Sequence, residues 1–358
     1  MKSFVAVVKT DPRTVLDDID RAMGLARVDN FLKKNIPTIL KINISWHLYF
    51  PACSTTPWQL DGVARALHAR GYSNLIPAQN RTVVVNPKIG AERNHLDSVI
   101  NKHRMKFVYL YEPDIEWINY RPKAKMLVLD KIFNGRIDIP KMFINKNALH
   151  LPTMKTHVFT TITGAMKNAF GGLLNDNRHW THSAIHETLV DLLQIQKEIH
   201  PGIFCVTDGT IAGDGAGPRV MEPHAKNYIL ASGDSVAIDA VAAKMMGFDP
   251  LAIKFLYLAQ QYGLGTADPQ DITITGEDIS KVNFHFTSKD NFASRGQKAI
   301  YWGRLKFLEH ALLRTPIVPW SYLASRLYHD LYWYNVRGKK IAQKFMTTPW
   351  GKLFQSYR

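Results

Sequence analysis

The sequence predicts an α/β protein with one or two mainly parallel sheets flanked by helices, plus a C-terminal helical extension that is aromatic and basic. Three observations carry this. Short runs rich in Val and Ile alternate with longer stretches of helical period, the pattern of strands joined through helices. In the second half, polar and glycine-rich segments follow directly on the apolar runs. The last sixth of the chain then changes character, setting aromatic residues among lysines and arginines.

Taken in order, residues 4–8 read as a strand, 15–34 as an amphipathic helix and 38–44 as a second strand. Residues 57–70 place Leu60, Val63, Ala64 and Leu67 at helical spacing, with Thr56 and Pro57 as a start signal and Gly71 as a stop. Further strands are expected at 81–85, 107–111, 125–129 and 148–151. The alternation then repeats, with a helix at 183–198, strands at 203–207 and 227–231, a helix at 235–246 closed by Gly247, and a strand at 271–275. Residues 1–290 thus form the α/β core, as one unit or as lobes 1–140 and 141–290, and residues 291–358 form the basic extension.

Of the 358 residues, 46% are hydrophobic and 21% charged, which is ample material for a large core. Two cysteines, Cys53 and Cys205, give no disulfide framework. They also fall short of the roughly four thiolates that an iron–sulfur cluster takes. No apolar stretch approaches the roughly 20 residues of a membrane span, and the first apolar run is too short for a secretory signal. The expected setting is cytoplasmic.

The formal net charge of +15 favours anionic partners. From Tyr301 to Arg358, ten Lys or Arg stand against Glu309 and Asp330 alone. Among them lie Trp302, Phe307, Trp320, Tyr322, Tyr328, Tyr332, Trp333, Phe345, Trp350 and Phe354. Helices packing these rings on the body are one reading. A surface over 300–358 for a membrane or a protein partner is another, and nucleic acid is the reading least favoured.

The densest polar segment runs from Leu151 to Gly172 and holds Lys155, His157, Thr163, Gly164, Lys167 and Asn168. A strand running into such a junction aims side chains and free N–H groups at one crevice, where anions bind. Lys155 and Lys167 would neutralise a phosphate or carboxylate, and His157 would move a proton. His182 and His186 are four apart and would share a helix face, as substrate contacts or caps. No glutamate follows the first of them, which rules out a zinc-protease helix.

A strand end at Asp208 opens a glycine-rich loop containing Asp214, and a further strand end carries Asp234, placed to cap the following helix. Asp208 is expected to complement His157. Neither a dinucleotide fingerprint nor a phosphate-loop lysine motif occurs. Lys41 and Asn43 alternate at the end of the second strand and would add a cation and an amide to the same crevice.

These segments together resemble the family known as domain of unknown function 362, over roughly residues 35–280. The likeness rests on Lys41-Ile-Asn43, Pro152-Thr-Met-Lys155-Thr-His157, Thr163-Gly-Ala-Met-Lys167-Asn168, Asp208-Gly with Gly217-Pro218, and Asp234-Ser-Val-Ala-Ile-Asp239. Many relatives of that kind carry a cysteine-rich iron–sulfur segment, which is lacking here. No protein-ligated cluster is therefore expected, and any redox role would need a bound cofactor of another kind or a separate partner.

The combined expectation is an enzyme acting on a small anionic ligand. Catalysis would fall to His157, Lys155, Lys167 and Asp208. Lys41, Asn43, Thr163, Gly164, Asn168, His182, His186, Asp214 and Asp234 would bind the substrate. The reaction stays open between isomerisation or racemisation, a partner-driven reduction and a group transfer. The alternative is a non-catalytic cofactor-binding or electron-transfer accessory protein that docks through its tail.

Overall fold

The first strand, β1 (Ser3–Lys9), buries four consecutive residues from Val5 to Val8. A strand apolar on both faces belongs inside a sheet with cover on both sides, and that is where a computed structural model places it. The structure describes residues 3–82, 84–309, 312 and 323–358. In chain order follow β2 (Thr38–Ile42), β3 (Leu75–Gln79), β4 (Val108–Tyr109), β5 (Trp117–Tyr120), β6 (Ile137–Pro140) and β7 (Asn147–Leu151). Then come β8 (Thr153–His157), β9 (Thr161–Ile162), β10 (Ile203–Ala216), β11 (Val220–Ser232) and β12 (Ile272–Gly276).

Ten of these strands form one sheet in the order β12-β1-β11-β10-β7-β2-β3-β4, with β8 on β10 and β9 on β8. Strands β10, β7, β2, β3 and β4 run parallel to one another. The exception on the path is β11, antiparallel to both β10 and β1.

Alternation along the strands divides the core in two. Val5, Val7 and Ile39 face the helices Ile185–Ile199 and Ser235–Met246. Ala6, Val8, Leu40 and Ile42 face the helices Val15–Leu25 and Pro57–Ala69. Thr56 caps the second of these through its hydroxyl, which accepts from Gln59 N–H, and Pro57 fills the first turn.

Four expectations change. The strand expected at 81–85 lies earlier, at β3, despite Pro77 within it. The backbone leaves the sheet at Asn80, whose N–H donates to Gly171 O. Residues 127–129 make no strand, because their N–H groups all donate to the Asp191 carboxylate. The helix expected over 15–34 stops at Leu25. The two short strands expected at 203–207 and 227–231 are the inner ends of one long hairpin.

The extension packs partly onto the body. Trp333, Phe345, Trp350 and Phe354 are buried against the second core, with Trp333 5.3 Å from Phe50 and Phe354 4.1 Å from Tyr49 between ring centroids. Trp350 Nε1 donates to Asn227 Oδ1 at 2.8 Å. Trp320 and Tyr322 lie outside the described residues. No helix among the described residues is long and apolar enough to cross a membrane.

Candidate functional site

Parallel strands end on the same side, and ligands in such sheets sit beyond those ends. Here the loops after β2, β3 and β7 surround a cavity of about 300 Å³. Strand ends supply Lys41, Asn43, Gln79 and His157 to its lining, and the segment after β8 supplies Thr163, Gly164, Lys167 and Asn168. Arg178, His179 and His182 come from the following turn, and Arg219 from the β10–β11 hairpin. The extension closes the far wall with Tyr301, Ser325 and His329.

The short helix Ala165–Asn168 carries two lining residues, and its position is set from below. Asp239 accepts from Ala165 N–H at 2.6 Å and Met166 N–H at 3.0 Å. Burial raises the Asp239 carboxyl to about 8. Gly164 has φ +95°, and a Cβ there would sit 2.2 Å from Asp239 Oδ1. Only glycine fits so close to that carboxylate.

The histidines present opposite faces of the same chemistry. His157 Nδ1 accepts from Phe159 N–H at 3.1 Å, which leaves the ring proton on Nε2. Burial first, then the charge of Lys167, holds its pKa well below the usual value. It is a neutral N–H donor. His182 Nδ1 donates to His179 O at 3.0 Å and His329 Nδ1 to Ser325 O at 2.8 Å, so both keep an Nε2 lone pair. Burial brings them to about 4 and about 3 respectively.

Two cations on the lining stand apart. Lys167 Nζ lies 5.5 Å from the Phe170 ring centroid and has no hydrogen bond or ion pair among the described residues. Burial, then the charges of Lys155 and Arg178, brings its pKa down to about 7. Arg219 Nη1 is buried with no hydrogen-bond partner among the described residues. By contrast, the lining carboxylate, Asp176, is 2.5 Å from Arg81.

Other lining groups are held by the protein. Lys41 Nζ donates to Ile42 O and Gln79 Oε1. Arg178 donates to Leu174 O at 3.4 Å, Asn175 O at 3.1 Å and Arg81 O. Asn168 Nδ2 donates to Lys41 O at 2.8 Å. Thr163 Oγ1 donates to Thr153 O at 3.3 Å, and Asn43 Oδ1 accepts from Ser45 Oγ at 3.0 Å.

Five of the expected site residues do not line the cavity. Lys155 sits behind its wall, donating to Cys53 O at 2.5 Å and Thr153 Oγ1 at 2.7 Å. Asp208 does not meet His157. Its carboxylate accepts from Thr56 Oγ1 at 2.5 Å, Trp58 Nε1 at 3.1 Å and Thr210 N–H at 2.8 Å, tying the Pro57–Ala69 helix to β10. Asp214 anchors the backbone at Thr287, 2.9 Å away. His186 stacks on Phe255 rather than sharing a face with His182, because the helix begins only at Ile185.

Asp234 is at the wrong end of the sheet. It follows β11, which runs against its neighbours, so it caps the Ser235–Met246 helix beside Ser3, at the amino ends of the parallel strands. Arg219, Arg178, Gln79, Tyr301 and His329 were not legible as site residues. Two of them had a nearby signal, Arg178 four residues before His182 and Arg219 beside the Gly217-Pro218 turn.

Cys53 and Cys205 are buried and free, with Cys53 Sγ on Pro218 O at 3.1 Å and Cys205 Sγ beside Ser235 Oγ at 3.3 Å. They do not fit an iron–sulfur cluster. Among the described residues no three His, Cys, Asp or Glu are grouped to hold a metal ion.

Domain of unknown function 362 matches residues 38–244, and the chain belongs to that family. A thylakoid-associated protein of Synechocystis sp. is 28% identical over 120 residues. That match covers 32% of this chain and 37% of the relative, so the shared part is about a third of either. No solved structure matches the chain.

Proposed function

We propose that this protein is an enzyme that binds a small anionic metabolite in the cavity and moves a proton on it. Arg219 anchors the anionic group, Lys167 takes and returns the proton, and the His157 Nε2–H donates to the oxygen on which charge develops. The observation that carries this reading is the pair Arg219 and Lys167, two cations turned into one cavity, with Arg219 Nη1 lacking a hydrogen bond and Lys167 lacking any hydrogen bond or ion pair among the described residues. Isolated buried charge is costly, and an anion from solution offsets that cost.

The groups suit proton abstraction beside a carbonyl or carboxylate. A base works best with a pKa near the working pH, and Lys167 at about 7 meets that condition. His157 cannot take the same part, since its Nε2 already carries a proton. A neutral imidazole N–H aimed at a developing oxyanion stabilises it without proton transfer. This moves the acid–base role from the histidine to the lysine, in the direction of isomerisation or racemisation.

The setting proposed is the cytoplasm. Two buried free thiols support a reducing compartment, and the thylakoid-associated relative supports a place near a membrane.

The test is solvent exchange. The protein is incubated in D₂O with a panel of small hydroxy and oxo carboxylates and sugar phosphates, and loss of the carbon-bound proton is followed by NMR. Exchange is expected for at least one class, rising with pH through about 7 as Lys167 loses its proton, and absent in Lys167→Met. Anions that bind at Arg219 with no exchange anywhere in the panel would instead support a carrier.

A further inference from the structure

The helix Leu327–Gly338 forms part of the extension and has two distinct faces. Its bonding is wider than that of an α-helix, with Lys339 N–H reaching Tyr334 O five residues back. In such a helix, residues four and five apart fall on one side. The inward side carries His329, which lines the cavity, and Trp333, which is buried. It also carries Asp330, which accepts from Trp46 Nε1 at 2.7 Å and lies 3.3 Å from His47 Nε2.

The outward side is apolar. Leu327, Leu331, Tyr332 and Val336 are 46%, 62%, 61% and 51% exposed, and Leu323, four residues before, is 47% exposed. From Leu323 to Arg358 the chain holds seven Lys or Arg against Asp330 alone. Since Asp330 is turned inward, the outer surface of this segment offers cations and apolar chains with no carboxylate. Arg326 and Arg337 flank the strip, and Lys339 and Lys340 follow it.

We propose that this face rests on an anionic lipid bilayer. Contiguous exposed apolar chains on a soluble surface mark an interaction site. Aliphatic chains with a tyrosine, bordered by lysine and arginine, match the boundary between acyl chains and anionic headgroups. Charge complementarity selects an anionic surface over a neutral one. A nucleic-acid strand would be met by flat rings for stacking, whereas three of the four strip residues are aliphatic. The inward side of the same helix is cavity wall, so docking sets the site about 10 Å, one helix diameter, from the headgroups.

Flotation of the full-length protein with vesicles tests this. Phosphatidylcholine vesicles containing phosphatidylglycerol should carry the protein up, and vesicles of phosphatidylcholine alone should leave it behind. Lys339→Gln and Lys340→Gln should each weaken partition roughly fivefold, and the effect should shrink in salt. The double variant Leu327→Ser, Leu331→Ser should lose flotation with little change in melting temperature, because about half or more of each side chain is already exposed. Equal binding to neutral vesicles, or unchanged flotation of the double variant, would overturn the proposal. So would a polyglutamate peptide that binds this face as tightly as the vesicles, which would assign it to an acidic protein.

Discussion

The cavity wall and the cavity face are built from the same residue types, and two pairs of charged groups drawn from them have opposite fates. Lys155 and Lys167 come from one polar segment, yet Lys155 has three oxygen acceptors behind the wall. Lys167 faces the cavity with none among the described residues. The same contrast holds between Asp208, with three donors around it, and Arg219, with an orphaned Nη1. A charge satisfied by the protein holds the fold together. A charge left for solvent or ligand is the one available for function.

Substitutions on the two sides should therefore separate cleanly. The largest effect is expected at Lys167, where Met should lower deuterium exchange by about 10²–10⁴-fold, the usual worth of a positioned acid or base, with the fold intact by circular dichroism. Lys155→Met should do the reverse, losing about 1–3 kcal/mol in a denaturant melt as its acceptors lose their donor. If both variants lose activity equally while keeping full stability, the distinction between wall and face fails.

Asp208→Ala comes next. It strips a carboxylate from Thr56, Trp58 and Thr210, and should cost about 3–5 kcal/mol of unfolding free energy. A neutral result would show that the carboxylate does not tie the Pro57–Ala69 helix to the sheet. Arg219→Met should move stability the other way, raising it by about 1–3 kcal/mol by removing an unpaired donor. The same change should abolish phosphate binding in calorimetry, a trade of stability for function. Loss of stability in this variant would mean that Arg219 belongs with the wall.

A separate effect lies in the pH dependence of stability. Lys167 falls from a reference near 10.5 to about 7 in the folded chain. A depressed folded pKa gives stability that is full above the unfolded value and is lost as pH falls through the folded one. Lys167→Met removes that loss. The variant's advantage over the parent should therefore grow as pH drops from 10 toward 7, which thermal melts across that range can read.

The parallel frame was legible because β1 is a continuous apolar run from Phe4 to Val8, and β2 and β7 are mostly apolar, broken by Thr38, Lys41, Asn147 and His150, as suits strands buried on both faces. The direction of β11 was not legible, since its apolar end at residues 227–231 looks the same in either sense. That one ambiguity sent Asp234 to the wrong end of the sheet. Residues 81–85 misled for a related reason: a β-branched run outscored Leu75–Gln79, where Pro77 argues against a strand.

Within the site, the Lys-Thr-His and Thr-Gly-Ala-Met-Lys-Asn motifs located the crevice. They could not tell which lysine faces it, because that depends on acceptors at Ser45 and Cys53, far off in sequence. Arg219 escaped notice because a hairpin turn is ordinary, and only the folded chain brings it to the cavity. The contribution of Tyr301 and His329 depends on how the extension folds back, which local pattern does not encode.

The central claim turns on the ionisation of Lys167, and NMR titration of its side-chain amine reads that directly in the intact protein. The expected midpoint is about 7 in the free protein, moving upward when phosphate is added, because a bound anion favours the charged form. A midpoint near the ordinary lysine value of about 10.4, unchanged by phosphate, would contradict the assignment of this cavity to anion binding and of its proton to Lys167.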